Sequence, residues 1–386
     1  MTVSESPSEG GFSLVVGGPF HTLMRRLGLT GPDHLPTWHG ALVAALAVWL
    51  PPALLASVQA LMSGGHSGLD FFGDWMAHSR YLIAVALMVA TERYADSRLL
   101  MLARHFRTAS LLPEASLPKF RAALEQADRL SSSRLAEAVL LVLALVGAAA
   151  TTDLAVDLAG RSWAGEEVSG SVSLSWAGWA ARLWSTPLYL FLVLRWLWRF
   201  GVWTELLYRI ARMPLQLTPL HPDRSAGLGF LAIYPSIFNG FIFAQSCVVA
   251  SAMVRDIGLE HRSGEIVWLA IGFWLVLCLA LLLGPLLVFV QPLYQLRERS
   301  LIEYGRLASQ HHLAFQRKWV AGEHDGAELL GSPDVSSAAD LNGAIESLRQ
   351  LRLVPVDLPA LISSWGLLSA HRTRQVLRPT KTDDSG

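Results

Sequence analysis

Six long apolar stretches, separated by polar segments, dominate the chain. They cover residues 38–61, 76–94, 135–152, 177–199, 228–254 and 266–290. A helix needs about 20 predominantly apolar residues to cross the roughly 30 Å hydrocarbon core of a bilayer, and four of the six clearly reach that length. The second stretch is the shortest, because its apolar core covers only residues 80–91. The pattern predicts an all-α polytopic membrane protein with about six transmembrane helices in residues 38–292.

The distribution of basic residues orients the predicted helices. Lysine and arginine in short loops stay on the cytoplasmic side of a membrane, whereas acidic residues contribute little to orientation. Most of the 31 Lys and Arg residues lie before the first stretch, after the second, between the fourth and fifth, and after the sixth. The remaining loops are mainly acidic. This alternation requires an even number of spans and predicts that both termini are cytoplasmic.

Composition agrees with a membrane location and excludes several functions. Hydrophobic residues make up 52% of the chain and charged residues 16%, whereas charged residues make up about 25% of typical soluble domains. A net charge of zero gives no indication of nucleic-acid binding. The two cysteines, Cys247 and Cys278, lie inside the fifth and sixth stretches, so neither a disulfide framework nor a metal site is expected. No cofactor motif is present.

The segments outside the predicted bundle are short. Residues 1–37 form a cytoplasmic N-terminal segment, and residues 95–134 have the pattern of a helical hairpin. Residues 293–370 are predicted to be cytoplasmic helices and loops, and residues 371–386 a disordered tail. Residues 356–368 are apolar but too short to span a bilayer, so they are predicted to be interfacial or the remnant of another span.

The link before the fifth stretch carries the most distinctive polar motif, Thr218–Gly229, with a proline on each side of His221. Asp223 or Ser225 is placed to cap the following helix, whose first amides have no helical partner. A helix N-terminus beside Arg224 also favours anions. Two interpretations remain open. Either the loop recognises a phosphate, a lipid head group or an acidic side chain, or it is a turn whose charged residues bind neighbouring loops of the same chain.

A second turn-rich element, Gly331–Leu341, contains Asp334 and Asp340. These carboxylates are expected to pair with Arg224 or with the basic hairpin of residues 95–134, which would dock the C-terminal region under the spans. The alternative is that they act as general bases or cation ligands. Two Asp residues without a histidine partner are a weak metal signal, so docking is the favoured interpretation.

These motifs resemble those of a known family. The block Leu220–Phe230 (LHPDRSAGLGF), the later block Gly331–Leu341 (GSPDVSSAADL) and Arg352–Pro355 are similar to an uncharacterised family of bacterial multi-pass membrane proteins. The resemblance implies location in the bacterial inner membrane but no activity. The chain departs from the family pattern at Ala226, where a second glycine is usual. It departs again at His371–Arg374, where the apolar C-terminal segment breaks off.

Polar residues inside the apolar stretches are the other candidates for function. Asn239 and Gln245 either line a polar path with Arg195 or hydrogen-bond across helices. Arg195 has a further alternative, because it is near enough to a helix end to extend its guanidinium to the membrane interface. Pro51 and Pro52 lie in the middle of the first stretch and are expected to break or kink it. The result is either a moving hinge or a static bend filled by a neighbouring helix.

Three classes of function therefore remain open. The first is transport or a channel-like activity, which is favoured. The second is a membrane scaffold or signalling subunit that binds a cytoplasmic protein partner or a second copy of the chain. The third is a membrane-interface enzyme that acts on lipid or phosphate through His221, Asp223 and Arg224. It ranks last because the motif lacks a nucleophile or metal beside its single histidine. The expected partners also include the bilayer and anionic lipid head groups.

Overall fold

The computed structural model describes residues 13, 17–31, 33, 35–63, 70–159, 163–168, 171–259, 264–322 and 332–356. Regular structure in this part of the chain is almost entirely helical, as the apolar pattern predicts. The helices fall into two compact units. The first contains residues 1–216 and 233–288, and the second contains residues 217–232 and 289–386.

The described residues of the first unit form twelve α-helices, some of them a single turn long. They are α1 Gly18–Arg26, α2 Trp38–Ser63, α3 Asp70–Gly73, α4 Trp75–His78, α5 Val85–Thr108, α6 Leu117–Ser131, α7 Arg134–Ala159, α8 Trp176–Ala180, α9 Thr186–Ala211, α10 Tyr234–Ile237, α11 Asn239–Leu259 and α12 Gly264–Leu283. One π-helical segment, Ser79–Ala84, joins α4 to α5, and another, Ala181–Ser185, joins α8 to α9. Helices α5 and α6 cover most of residues 95–134, where a hairpin is expected, and α6 packs along α9.

Four helical stretches in the described residues are long and apolar enough to cross a membrane: Trp38–Met62, Arg134–Thr151, Gly229–Arg255 and the run that begins at Val267. They correspond to the first, third, fifth and sixth predicted spans. The other two predicted spans are also helical, within α4–α5 and α8–α9, but they include charged residues that lower their hydropathy. These residues are Arg80, Glu92, Arg93, Arg182, Arg195 and Arg199. A count of six spans therefore stays a prediction.

Small residues allow the helices of the first unit to pack closely. Helix α7 packs along α9, and α2 packs against both α5 and α8. Alanines at these contacts are fully buried, including Ala45, Ala84 and Ala144. Such small side chains let membrane helices approach one another. Aromatic rings fill the space between α9 and the start of α11, where Phe200 and Phe238 stack with centroids 4.0 Å apart.

A β-hairpin lies where the sequence analysis expected only a loop. Strands β1 (Gly165–Val168) and β2 (Ser171–Leu174) pair antiparallel, with Gly165 opposite Leu174. Ser175 then caps α8: its Oγ accepts a hydrogen bond from the Gly178 amide at 2.9 Å and donates one to the Trp163 carbonyl at 2.7 Å. These bonds fix the start of α8 beside the hairpin.

The second unit is a pair of packed helices with a loop. Helix α13 (Val290–Phe315) continues into a π-helical turn, Gln316–Val320, and α14 (Pro333–Arg349) packs back along it. Leu293 and Leu348 are fully buried in this unit. The predicted disordered tail and almost all of the apolar segment 356–368 lie outside the described residues.

Candidate functional site

Helix α9 carries polar side chains on its buried face over most of its length. Thr186, Tyr189, Arg195, Arg199 and Trp203 are all buried. At 1.5 Å per residue, the distance from the first to the last is roughly 25 Å, close to the thickness of a bilayer core. Their partners come from α5, α7, α11 and the π-helical segment before α5. We call the whole set the polar seam: Tyr81, Glu92, Glu137, Thr186, Tyr189, Arg195, Arg199, Trp203, Tyr234 and Gln245.

Neutral hydrogen bonds form the first half of the seam. The hydroxyls of Tyr81 and Thr186 lie 2.8 Å apart. Tyr189 donates to the side-chain oxygen of Gln245 at 2.6 Å, and the Gln245 amide reaches the sulfur of Met88 at 3.5 Å. The interpretation of Gln245 as a residue that hydrogen-bonds across helices therefore fits this contact.

Two carboxylates and two guanidinium groups form the second half. Glu92 Oε1 accepts hydrogen bonds from Arg195 Nη1 at 3.0 Å and from Arg199 Nη1 at 2.9 Å. The Nε of Arg195 lies 3.6 Å from Glu137 Oε1. All four side chains are less than 9% exposed. Arg195 is thus paired in the interior of the unit, and we call these four residues the charge cluster.

The N-terminal helix α1 closes over the charge cluster. The backbone amide of Phe20 donates to Glu137 Oε2 at 2.9 Å, and the Phe20 ring lies 4.8 Å from the guanidinium carbon of Arg195. Gly18 permits this approach, since a Cβ there would meet the Glu137 carboxylate, and its φ of 79° favours glycine. The helix thereby keeps water away from the cluster and strengthens its electrostatic interactions.

The seam ends in polar groups with spare hydrogen-bonding capacity. In the described part of the chain, Arg199 Nη2, Trp203 Nε1 and the Tyr234 hydroxyl are buried without a hydrogen-bond partner. The Trp203 and Tyr234 rings stack with centroids 6.2 Å apart, and Arg199 lies one turn before Trp203 on α9. Among the described residues, this end of the seam therefore has three unpaired donors, two on α9 and one on α10.

Two of the three residues predicted to line a polar path belong to the seam. Gln245 and Arg195 are members, whereas Asn239 is half-buried at the start of α11 with no recorded side-chain hydrogen bond. Sequence reasoning missed Glu137 and Tyr189. The sequence shows Glu137 only as an acidic side chain at the edge of an apolar stretch. It gives no sign of the contact with Arg195, which lies 58 residues later in the chain.

The carbonyls freed by the two prolines of α2 have partners on the neighbouring helix. Helix α2 continues through Pro51 and Pro52. Each proline lacks the amide that would bond to the carbonyl four residues earlier. Trp184 Nε1 donates to the Ala47 carbonyl at 2.9 Å, and Ser185 Oγ donates to the Val48 carbonyl at 2.6 Å. The π-helical segment that contains both donors thus satisfies both carbonyls.

The loop with His221 is organised by its own acidic residue. Asp223 accepts hydrogen bonds from the amides of Ser225, Gly227 and Gly229 at 2.8, 3.2 and 2.7 Å, and lies 2.8 Å from His221 Nδ1. Partial burial raises the pKa of Asp223, but these hydrogen bonds outweigh burial and hold the pKa below its ordinary value. A carboxylate of the chain itself occupies the amides that an external anion would need.

Other contacts link this loop to the C-terminal residues. The Arg352 amide donates to the Arg224 carbonyl at 2.7 Å. Asp334 accepts hydrogen bonds from Lys318 at 2.7 Å and from Trp319 at 3.0 Å. Asp340 is exposed and makes no ion pair with Arg224, both of which the structure describes. Docking within the second unit therefore uses a backbone hydrogen bond in place of the expected Arg224 ion pairs.

Ala226 adopts a φ of 56° in this loop. Glycine adopts this conformation more easily than alanine, which gives a physical reason for the glycine expected there from the family pattern.

The described residues contain no group of three or more His, Cys, Asp or Glu side chains that could hold a metal ion. No family model, no curated protein and no solved structure matches this chain.

Proposed function

We propose that this multi-pass membrane protein transfers protons across the bacterial inner membrane along the polar seam. The observation that carries the proposal is the extent of the seam, since buried polar groups follow α9 over roughly the thickness of the hydrocarbon core. Ionisable residues are costly inside membranes and commonly mark ion or proton pathways. A proton suits the seam better than a hydrated ion, because its polar groups lie in pairs at hydrogen-bond distance, which leaves no room for a hydration shell within each pair.

The proposed topology has six spans, with α4–α5 and α8–α9 as the second and fourth. Each of these continuous helical runs is roughly 50 Å long, enough to cross a bilayer. Three of their charges face the interior of the unit, where Glu92 pairs with Arg195 and Arg199. The distribution of Lys and Arg supports a cytoplasmic location for both termini.

Within this pathway the residues have different roles. Glu92 and Glu137 are the carboxylates that accept and release protons, and Arg195 and Arg199 stabilise their charged forms. We assign to the Tyr189 hydroxyl and the Gln245 amide the transfer of protons between this half and the hydroxyls of Tyr81 and Thr186. Gln245 and Tyr189 hold each other in place at 2.6 Å.

Proton flux into proteoliposomes tests the proposal. The purified protein is reconstituted with an internal pH-sensitive dye, and a potassium diffusion potential drives the flux. Tyr189→Phe removes the hydroxyl that bonds to Gln245 and is expected to lower the rate by about tenfold or more, as loss of a positioned proton-transfer group does. Tyr94→Phe, at an exposed position on α5, is the matched control and should keep the wild-type rate. Wild-type flux equal to that of empty liposomes would exclude the proposal.

A static scaffold is the second candidate function. The charge cluster favours it, because two acids and two bases balance each other and clamp α5, α7 and α9 together. A scaffold predicts no proton flux, while substitutions in the cluster still lower thermal stability. Flux and melting temperature measured on the same variants therefore distinguish the two functions.

A further inference from the structure

An open groove lies between α6 and the last turns of α9, away from the polar seam. Its volume is about 520 Å³, within the range of small-molecule sites. Helix α6 contributes Lys119, Ala122 and Ala123, which lie on one face at helical spacing. Helix α9 contributes a matching face that includes Tyr208 and Arg212. The small alanine side chains provide the space, and the longer residues form the walls.

The groove has an excess of positive charge. Arg209 is paired with Glu205 at 2.7 Å, so these two charges balance. Arg212 donates to the Tyr208 hydroxyl at 2.8 Å, and its guanidinium carbon lies 4.9 Å from the centre of the Tyr208 ring. In the described part of the chain, neither Lys119 nor Arg212 has an acidic partner. Two cations therefore face the groove without compensation, and one of them is held in position by an aromatic ring.

We propose that this groove binds a phosphate-bearing anion. Arginine presents a planar fork that matches phosphate oxygens, and lysine adds a compact positive charge. The groove begins six residues beyond Arg199, the end of the fourth apolar stretch. At 1.5 Å per residue, Glu205 to Met213 lie roughly 9 to 21 Å beyond that end, whereas lipid head groups extend only about 5 to 8 Å beyond the hydrocarbon. The position favours a dissolved phosphate compound over a lipid head group.

Calorimetric titration of the full-length protein in an uncharged detergent, with pyrophosphate as the probe at constant ionic strength, tests this site. Lys119→Gln combined with Arg212→Gln should weaken binding about tenfold or more, the factor that one charge-assisted hydrogen bond contributes. The matched control is Arg121→Gln with Arg134→Gln, which removes the same charge from exposed positions outside the groove. A third variant, Ala122→Leu, keeps every charge but narrows the groove, and should also weaken binding.

Each outcome has a defined meaning. Loss of pyrophosphate binding in the groove variant and in Ala122→Leu, with the control unchanged, supports the site. Equal loss in the groove and control variants would show general charge attraction and overturn it. Binding of phosphatidylglycerol in nanodiscs that depends on Lys119 and Arg212, without pyrophosphate binding, would overturn the dissolved ligand in favour of a head group. If the double variant does not fold, Ala122→Leu decides alone. None of these results depends on proton flux, so this proposal and the proton pathway can fail separately.

Discussion

One hydrogen bond to each of two backbone carbonyls allows α2 to accommodate its double proline. Without a partner, the freed carbonyl of Val48 would be a buried acceptor whose desolvation costs about 1–3 kcal/mol. Ser185 and Trp184 satisfy Val48 and Ala47 and favour a static bend over a hinge. The sequence predicted that Pro51 and Pro52 would remove helical hydrogen bonds. It could not predict which groups replace them, because the donors lie more than 130 residues later in the chain.

A double-mutant cycle tests this compensation. Ser185→Ala should lower the free energy of unfolding by about 1–3 kcal/mol, because the Val48 carbonyl loses its donor. In a Pro52→Ala background residue 52 regains an amide, so the same Ser185→Ala change should cost clearly less. The measurement is denaturant unfolding in detergent micelles. Identical costs in the two backgrounds would mean that the hydrogen bond does not compensate for Pro52.

Asp223 makes the stability of its loop dependent on pH. Its pKa is lowered in the folded protein, so the carboxylate stabilises the fold above the unfolded pKa of about 3.9. That contribution is lost as pH falls through the lower folded pKa. Asp223→Asn should therefore melt at a lower temperature than the wild type at pH 7, and the difference should shrink below about pH 4. A difference that stays constant down to acid pH would contradict this role.

At the scale of elements, the apolar pattern located the helices but not their contacts. The first and third predicted spans agree with α2 and α7 within a few residues, except that α7 runs on to Ala159. The β-hairpin was missed because its strands are short and polar. The partners of Arg195 were missed because Glu92 lies 103 residues away, and hydropathy carries no information on such contacts.

The charge cluster predicts an order of effects for two conservative substitutions. Glu92→Gln leaves two buried guanidinium groups without their shared carboxylate and should cost about 3–5 kcal/mol. Glu137→Gln should cost less, because a glutamine oxygen still accepts the Phe20 amide and the contact with Arg195 is longer, at 3.6 Å. Thermal unfolding in detergent measures both variants. A larger loss of thermal stability in Glu137→Gln than in Glu92→Gln would show that Glu137 on α7 contributes more than Glu92 on α5 to holding the helices together.

At the scale of the whole molecule, orientation in the membrane is the main prediction from sequence. Four helical stretches in the described residues have the length and composition of spans, and the predicted total of six depends on the two charged runs α4–α5 and α8–α9. The motif with His221 and residues 332–356 lie in one unit, where the Arg352 amide bonds to the Arg224 carbonyl. The sequence analysis expected Asp334 and Asp340 to pair with Arg224 or with the basic hairpin. A backbone hydrogen bond uses groups that nearly every residue carries, so the residue types in the sequence do not reveal it.

Labelling of single cysteines tests the orientation. After replacement of Cys247 and Cys278, a cysteine at Ser173 should react with an impermeant maleimide added to whole cells, because the β-hairpin is predicted to face outward. A cysteine at Ser309 on α13 should react only after the membrane is opened. Both positions are exposed, so reactivity reports the side of the membrane. External labelling at Ser309 would exclude six spans with a cytoplasmic C-terminal region.

The separation of Glu92 from its partners has a consequence for biogenesis. A ribosome that adds 5–20 residues per second reaches Arg195 roughly 5–20 s after Glu92. During that interval the helix with the acid has emerged, but the guanidinium groups that neutralise it do not yet exist. Under the proposed six-span topology, this helix would wait in a sheltered, hydrated site of the insertion machinery until α9 arrives. The second and fourth spans would then enter the lipid together, with Glu92 paired to Arg195 and Arg199.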